Sequence, residues 1–278
     1  MFTSFHEPAN EGLRMLYSRD GYHWNAIDTI YLKPMIGKDK IMRDPSMLQG
    51  TDGIFHLVWT TEWKDGNGFG YASSKDLVHW SEQQYVPIMQ HEPTVRNVWA
   101  PELFYDKEKR EYIIVFASCI PNRFEKGIED ENNNHRLYYT TTKNFKDYSE
   151  AKLLYDPKFS SIDAVIVKRD TKDYVLVLKD NTRPERDIKV AFATDPLGPY
   201  KNVSAAFTEK FTEGPAVAKV KHGWLIYYDA YQKKKYGASF TNDFKTFSNA
   251  DSLISVPEGH KHGTILMVKK TILDKLKK

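Results

Sequence analysis

The segment Tyr71-Ala72-Ser73-Ser74-Lys75-Asp76-Leu77-Val78-His79-Trp80 runs from a short Ser-rich strand through a turn to a closing aromatic residue. The same order occurs five times, and the successive closing aromatics lie 56, 68, 52 and 47 residues apart: Trp24, Trp80, Tyr148, Tyr200 and Phe247. A four-stranded propeller blade takes roughly 40–50 residues, and it cannot bury both of its faces without neighbouring blades. Five copies therefore predict an all-β fold, a five-bladed β-propeller, whose central channel offers one evident place for chemistry.

The bulk composition argues against a nucleic-acid or membrane partner. The 278 residues carry 40 basic and 37 acidic side chains, a net charge of +3, and Lys233-Lys234-Lys235 fits a tight turn. No apolar stretch approaches the ~20 residues of a membrane span. A single cysteine, Cys119, excludes an internal disulfide. We expect one domain over residues 1–278, acting as a monomer. No signal peptide precedes the fold, but a leader could have been removed, so the sequence leaves the compartment open.

Each complete blade divides into four strands, of which the innermost lines the channel. The first complete blade has its inner strand at residues 44–48, and the next three inner strands begin near residues 101, 163 and 214. The fifth blade is split, with its inner strand at residues 262–268 and its outer strands at residues 2–5, 13–17 and 24–27. Pairing the two ends closes the ring and covers two sheet edges. A short helix is predicted after residue 268.

The first residues of the five inner strands carry most of the chemistry. In chain order they are Asp44, Ala100, Asp163, Glu213 and His262. The repeat brings equivalent positions to one end of the channel, so three carboxylates would lie a few ångströms from one another. Mutual repulsion and lost hydration make such a cluster costly, which favours a functional reason for it.

The chain resembles glycoside hydrolase family 43, five-bladed propellers that act on arabinose- and xylose-containing polysaccharides. The resemblance covers nearly the whole chain and rests on five segments: Arg43-Asp44-Pro45-Ser46, Trp99-Ala100-Pro101-Glu102, Ile162-Asp163-Ala164, Glu213-Gly214-Pro215, and His260 with His262 ahead of Gly263-Thr264. It implies a glycosidase, which we expect to release terminal α-L-arabinofuranosyl or β-xylosyl units from plant-type polysaccharides or oligosaccharides.

Carried over position by position, the resemblance also implies a role for each of four residues. Asp44 would be the general base, Glu213 the general acid, and Asp163 the residue that orients the acid and raises its pKa. His262 would bind a water-ligated cation, such as a structural Ca²⁺ in the channel, or form a hydrogen bond near the base. No cofactor is required for this chemistry.

The physical chemistry of glycoside hydrolysis agrees with these roles. One protonated carboxyl group must donate a proton to the leaving oxygen, and one carboxylate must activate water. A third carboxylate near the acid favours its protonated form through like-charge repulsion. If blades one and four face each other, a water fits between Asp44 and Glu213, which favours inversion over a covalent intermediate.

Further residues at strand ends near the mouth are candidates for binding the sugar: Arg43, Trp63, Trp99, Arg183 and Tyr231. Tryptophan side chains can stack on a sugar face, although a place between blades would explain them equally well. Glu102 lies deeper in the channel and could bind water or metal. The long loop over residues 120–135 could wall one side of a pocket, which would restrict the enzyme to chain ends.

Two other functions stay open at this stage. A non-catalytic propeller that binds a glycan would tolerate loss of the acids, so their presence argues against it. A glycoside phosphorylase would need one acid and a cluster of Arg and His side chains to hold phosphate. The sequence shows three carboxylates and few convergent arginines, which favours the hydrolase.

Overall fold

The computed structural model describes residues 1–277, in which eighteen strands form five antiparallel sheets. Blade 5 contains β1 (Phe2–Ser4), β2 (Arg14–Tyr17) and β3 (Asn25–Ile27). Blade 1 contains β4 (Arg43–Gln49), β5 (Phe55–Thr60), β6 (Phe69–Ser74) and β7 (Gln84–Val86). Blade 2 contains β8 (Trp99–Asp106), β9 (Glu111–Cys119), β10 (His135–Thr142) and β11 (Lys152–Tyr155). Blade 3 contains β12 (Ser161–Asp170), β13 (Asp173–Asp180) and β14 (Asp187–Ala193). Blade 4 contains β15 (Glu213–Val220), β16 (Gly223–Ala230), β17 (Lys235–Thr241) and β18 (Ser248–Asn249).

The five sheets form a five-bladed β-propeller, which confirms the predicted fold. Within each blade the strands follow one another as antiparallel neighbours from the channel outward. The predicted fourth strand of blade 3 is reduced to one bridge, in which Phe192 and Lys201 exchange two backbone hydrogen bonds of 2.9 Å.

The repeated segment is a turn that side-chain oxygens hold together. In blade 1, Ser74 Oγ accepts a hydrogen bond from Leu77 N at 2.8 Å, and Asp76 Oδ1 accepts from Val78 N and His79 N at 3.0 and 2.9 Å. Leu77 adopts a φ of 65° and buries its side chain completely. Such Asx and ST turns explain why a hydroxyl residue is followed two positions later by Asp or Asn. The equivalent pairs in other blades are Ser18 and Asp20, Thr142 and Asn144, and Thr241 and Asp243.

The two ends of the chain meet in blade 5. The C-terminal segment runs antiparallel to β1, with bridges from Phe2 to Ile265 and from Phe5 to Lys261. Thr3 N also donates to the carbonyl oxygen of Thr264 at 3.0 Å. The segment therefore supplies the inner strand of blade 5, and the predicted ring closure is confirmed, beginning one residue earlier than expected.

Each of the other four inner strands begins with a β-bulge, which shifts its register against the second strand of the blade. The first bulged residue has a positive φ in every case: Asp44 (50°), Ala100 (46°), Asp163 (52°) and Gly214 (58°). The alignment made from the sequence is therefore wrong by one residue in blade 4. Gly214 is equivalent to Asp44, and Glu213 occupies the position before it. Bulges of this kind redirect side chains and are common beside active sites.

The apolar core lies between neighbouring blades. Phe69 of blade 1 and Phe116 of blade 2, for example, are both buried and pack with ring centroids 6.4 Å apart. The predicted C-terminal helix is present as α1 (Lys270–Leu276), which buries Leu276 against the core between blades 5 and 1. Among the described residues, no helix has the length and apolar character needed to cross a membrane.

Candidate active site

Asp44 lies in the bulge that opens β4, and both of its carboxylate oxygens accept hydrogen bonds. His262 Nε2 donates to Oδ1 at 2.8 Å, and Thr60 Oγ1 donates to Oδ2 at 2.7 Å. Burial alone would raise the pKa of Asp44, but the hydrogen bond and charge of His262 and the charge of Arg43 hold it below its ordinary value. Asp44 is therefore an anion at neutral pH, as a general base must be.

His262 supplies a positive charge at the centre of the site. Burial would lower its pKa, but the hydrogen bond to Asp44 and the charges of Asp44, Asp163 and Glu213 raise the pKa of His262 to about 9. The imidazole can approach so closely because Gly214 has no side chain. A Cβ atom there would lie 1.9 Å from His262 Cγ, and the φ of 58° also favours glycine.

Glu213 forms an ion pair that the sequence analysis did not anticipate. Lys179 Nζ, on the second strand of blade 3, donates to Glu213 Oε2 at 2.8 Å. Burial would raise the pKa of Glu213, but the charges of Lys179 and His262 and the Lys179 hydrogen bond lower it. The expectation that like-charge repulsion raises the pKa of Glu213 is therefore not met, because Lys179 outweighs the neighbouring carboxylates.

Asp163 is buried beside the residue that follows Glu213. Its Oδ2 accepts a hydrogen bond from Gly214 N at 3.0 Å, so it fixes the backbone that carries Glu213. Burial raises the pKa of Asp163, against the lowering effect of His262 and Lys179, and the negative charges of Glu213 and Asp44 add to the increase. The orienting role that the family resemblance implies for Asp163 stays a prediction.

Three of the predicted sugar-binding residues form a stack at the mouth. The Arg43 guanidinium lies 4.7 Å from the Trp63 ring centroid, Trp63 stacks on Trp99 at 4.9 Å, and Trp99 stacks on His135 at 4.9 Å. Arg43 also forms two hydrogen bonds to Glu7, of 2.6 and 2.8 Å. Trp63 is 48% exposed, so part of its indole ring is open to solvent.

The remaining two predicted binding residues differ in their surroundings. The Tyr231 ring centroid lies 5.3 Å from Lys179 Nζ, beside the acid, and its buried hydroxyl has no hydrogen-bond partner among residues 1–277. Arg183 donates instead to Glu129 and Asp130 of the long loop, at 2.9 and 2.8 Å. Its guanidinium therefore anchors that loop to blade 3, and its hydrogen bonds do not go to Asp44, Asp163 or Glu213.

Glu102 closes the channel beneath the three acids. Thr264 Oγ1 donates to Glu102 Oε2 at 2.7 Å, and burial raises the pKa of Glu102 to about 7. A cavity of about 20 Å³, lined by Glu102, Asp44, Asp163 and His262 among others, separates it from the mouth. This volume has room for about one water molecule. A larger cavity of about 490 Å³ opens at the opposite end of the channel, away from the acids.

The charges at the mouth do not suit a divalent cation. Glu213, Asp229 and His262 lie close enough to share an ion, with ligand atoms within 4.8 Å of one another. However, the two carboxylates already pair with Lys179 and Lys261, each at 2.8 Å, and His262 is protonated at neutral pH. Calcium prefers several free oxygen ligands and no adjacent cation. These residues therefore do not fit a bound Ca²⁺, and we assign no metal to them.

Sequence reasoning missed the contribution of the second strands. Thr60 of β5, Lys179 of β13 and Asp229 of β16 each pair with the residue that precedes the bulge of the inner strand. Each reaches the next blade: Thr60 accepts from Ala100 N at 2.8 Å, Lys179 binds Glu213, and Asp229 binds Lys261. The repeat, applied to the end of the second strand, would have singled out these positions.

Comparison with solved structures supports the fold. An α-L-arabinofuranosidase from Lactobacillus brevis is 19% identical with a TM-score of 0.59, over 76% of this chain and 72% of the other. A family 43 endo-arabinanase from Bacillus licheniformis is 14% identical with a TM-score of 0.56, over 77% and 78%. An exo-β-1,3-galactanase from Phanerochaete chrysosporium, solved with galactotriose, is 14% identical with a TM-score of 0.59, over 75% and 49%. No curated protein matches the chain.

A family model described as a probable glycosyl hydrolase domain, related to glycoside hydrolase family 43, matches residues 1–274. This match covers all five blades and every residue of the mouth described above. The chain therefore belongs to this family of glycosyl hydrolases related to family 43.

Proposed function

We propose that this protein is an inverting, exo-acting glycoside hydrolase that removes terminal α-L-arabinofuranosyl units, or β-xylosyl units as the next choice. The substrate would be a plant-type polysaccharide or oligosaccharide. One observation carries the proposal: Asp44, Asp163 and Glu213, from three different blades, meet around His262 at one end of the channel.

Asp44 is the proposed general base. Its two carboxylate oxygens are held by His262 and Thr60, which fixes the direction from which a water can be bound. Its lowered pKa keeps it ready to take a proton from that water as the water attacks the anomeric carbon.

Glu213 is the proposed general acid. Its side chain is 24% exposed, against 12% for Asp44, so its carboxyl group can reach a glycosidic oxygen at the mouth. Glu213 must be protonated before each turnover, and substrate entry favours this because displacement of water makes the charged form of the carboxyl group less favourable. Asp163 holds the adjacent backbone and contributes negative charge.

The choice of sugar and the exo action rest on the solved structures with this fold and on the long loop. Solved structures with this fold include an enzyme named for arabinofuranose, one for arabinan and one for galactan, so a furanosyl or galactosyl unit would suit the scaffold. The loop over residues 120–135 stands at the mouth end of blade 2, where it could close one side of a pocket. We also propose that the five blades form a single catalytic domain that acts as a monomer.

The phosphorylase alternative is less well supported. The cations at the mouth each face a carboxylate: Arg43 with Glu7, Lys179 with Glu213, His262 with Asp44, and Lys261 with Asp229. Binding of a phosphate would leave these carboxylates beside a second anion, which is unfavourable.

A screen of nitrophenyl glycosides, with and without inorganic phosphate, tests the proposal. We expect free sugar from the α-L-arabinofuranoside at a rate that phosphate does not change, and no turnover by the Asp44→Asn variant. A sugar phosphate as product would identify a phosphorylase. Glycan binding without turnover of any glycoside would identify a binding module.

A further inference from the structure

Lys179 follows an apolar stretch of β13 and lies one residue before the end of the strand. The five residues before it, from Tyr174 to Leu178, are buried, and the Lys179 side chain itself is only 3% exposed. A buried ammonium group is costly unless a carboxylate pairs with it. Lys179 meets this requirement with Glu213, which belongs to a different blade.

We propose that Lys179 is a positioning residue for the general acid, which holds the Glu213 carboxyl group in place and stabilises the anion left after proton transfer. This inference rests on the proposed function, because it gives Glu213 the role of acid. It adds a residue that acts through Glu213 and does not itself touch the reacting atoms.

The proposed step is balanced as follows. The Glu213 proton passes to the glycosidic oxygen as the bond from that oxygen to the anomeric carbon breaks. Water attacks the anomeric carbon and gives a proton to Asp44. Lys179 stays protonated throughout, and the Glu213 carboxylate returns to the 2.8 Å ion pair. Release of the Asp44 proton to solvent and uptake of one by Glu213 restore the enzyme.

The geometry gives Lys179 a larger influence on Glu213 than any other cation. Lys179 forms the only ion pair of Glu213 among residues 1–277, and its charge and hydrogen bond lower the pKa of Glu213. The other charged or titratable groups facing Glu213 come from each neighbouring element: Asp163, Asp44, Arg43, His262, Asp229 and Tyr236. Removal of the Lys179 charge leaves Glu213 facing three carboxylates and two cations without its ion-pair partner, so the protonated form of Glu213 is favoured.

The test is a titration of the Glu213 carboxyl carbon in ¹³C-labelled protein, with the resonance assigned by its loss in Glu213→Gln. We expect the midpoint to rise by about one pH unit or more in Lys179→Met, because an opposite charge at this distance shifts a pKa by roughly 1–3 units. Lys179→Arg keeps the charge and should leave the midpoint near that of the wild type.

Lys189→Met is the matched control. It removes a partly buried ammonium group from the same sheet, but the partner of Lys189 is Asp180, at 2.6 Å. A midpoint that stays in place in Lys179→Met, or that moves equally in Lys189→Met, would overturn the inference. If Lys179→Met does not fold, a raised midpoint in Lys179→Arg would overturn it, and an unchanged one would support it.

This titration needs no substrate, so it separates the inference from the proposed function. If the wild-type protein hydrolyses no glycoside, the proposed function fails while the titration still reports on the ion pair. If the enzyme is active, the basic limb of its pH–rate profile should move to higher pH in Lys179→Met. A basic limb that does not move, with a shifted titration, would show that Glu213 is not the acid.

Discussion

His262, in the C-terminal segment, donates a hydrogen bond of 2.8 Å to Asp44, in the first complete blade. The proposed general base therefore depends on the closure of the ring. The same segment pairs with β1 through Phe2 and Phe5, so one stretch of chain completes both the fold and the site.

Removal of residues 260–278 should leave an open ring and an insoluble product. The deletion exposes the backbone edge of β1 and removes the partner of Asp44, and open sheet edges promote aggregation. Soluble yield and circular dichroism measure the result. Removal of residues 269–278 alone takes away α1 but keeps the closing strand, and it should be much milder. A soluble, folded product from the longer deletion would contradict the closure described here.

Asp44→Asn and Glu213→Gln should each lower kcat by about 10²- to 10⁴-fold, the usual contribution of a general base or acid. The two variants should differ on an aryl glycoside with a good leaving group. That group needs little protonation, so Glu213→Gln should keep much more activity on it than Asp44→Asn. Equal losses on activated and natural substrates would refute the assigned roles, provided that thermal unfolding shows both variants to be folded.

Asp163→Asn should move the basic limb of the pH–rate profile to lower pH. Asp163 and Glu213 each disfavour the ionisation of the other, so removal of the Asp163 charge makes Glu213 a stronger acid. The protonated form of Glu213 is then lost at lower pH. The profile of kcat/KM checks this shift, which is opposite to that expected for Lys179→Met. An unmoved basic limb would mean that Asp163 acts only by holding the backbone.

The first sugar released should have the inverted anomeric configuration. Inverting enzymes hold their two carboxyl groups roughly 6.5–9.5 Å apart, which leaves room for a water, whereas retaining pairs lie about 5 Å apart. Proton NMR of the first-formed anomer decides between them, and product analysis early in digestion tests exo action. Retention, or an early ladder of oligosaccharides, would exclude the corresponding part of the proposal.

His262 should make the protein less stable as the pH rises above neutrality. Its pKa is raised from 6.5 to about 9 in the folded state, so its contribution is complete below pH 6.5 and is lost as the pH approaches 9. A shift of this size corresponds to roughly 3 kcal/mol. The free energy of unfolding, measured by urea titration between pH 6 and pH 9, should fall more steeply for the wild type than for His262→Asn. Parallel slopes would indicate that His262 is neutral in the folded protein.

Much of the fold could be predicted from the sequence because its determinants are local and repeated. The Ser74-x-Asp76 turn is built from side chains that bond to the backbone within three residues, so the four copies that carry such a pair fold in the same way. The inner-strand motifs follow the same period, which brought Asp44, Asp163 and His262 to one end of the channel.

The remaining features of the site depend on contacts between blades. Lys179 lies 34 residues before Glu213, and no local pattern links them until blades 3 and 4 pack side by side. Arg183 could be placed near the mouth by its position in the chain, but its partners are the loop acids Glu129 and Asp130, whose approach the sequence does not specify.

The sequence by itself determined the five blades, the closure of the ring and the end of the channel at which the acids meet. The repeat period and the turns depend on residues that are close together in the chain. Only the tertiary structure decided the one-residue register that makes Gly214 the equivalent of Asp44, and the charges that Lys179 and His262 place beside the carboxylates. The physical reason is that a bulge and a buried ion pair are fixed by how neighbouring strands and blades pack, and the protonation of Glu213 follows from that packing.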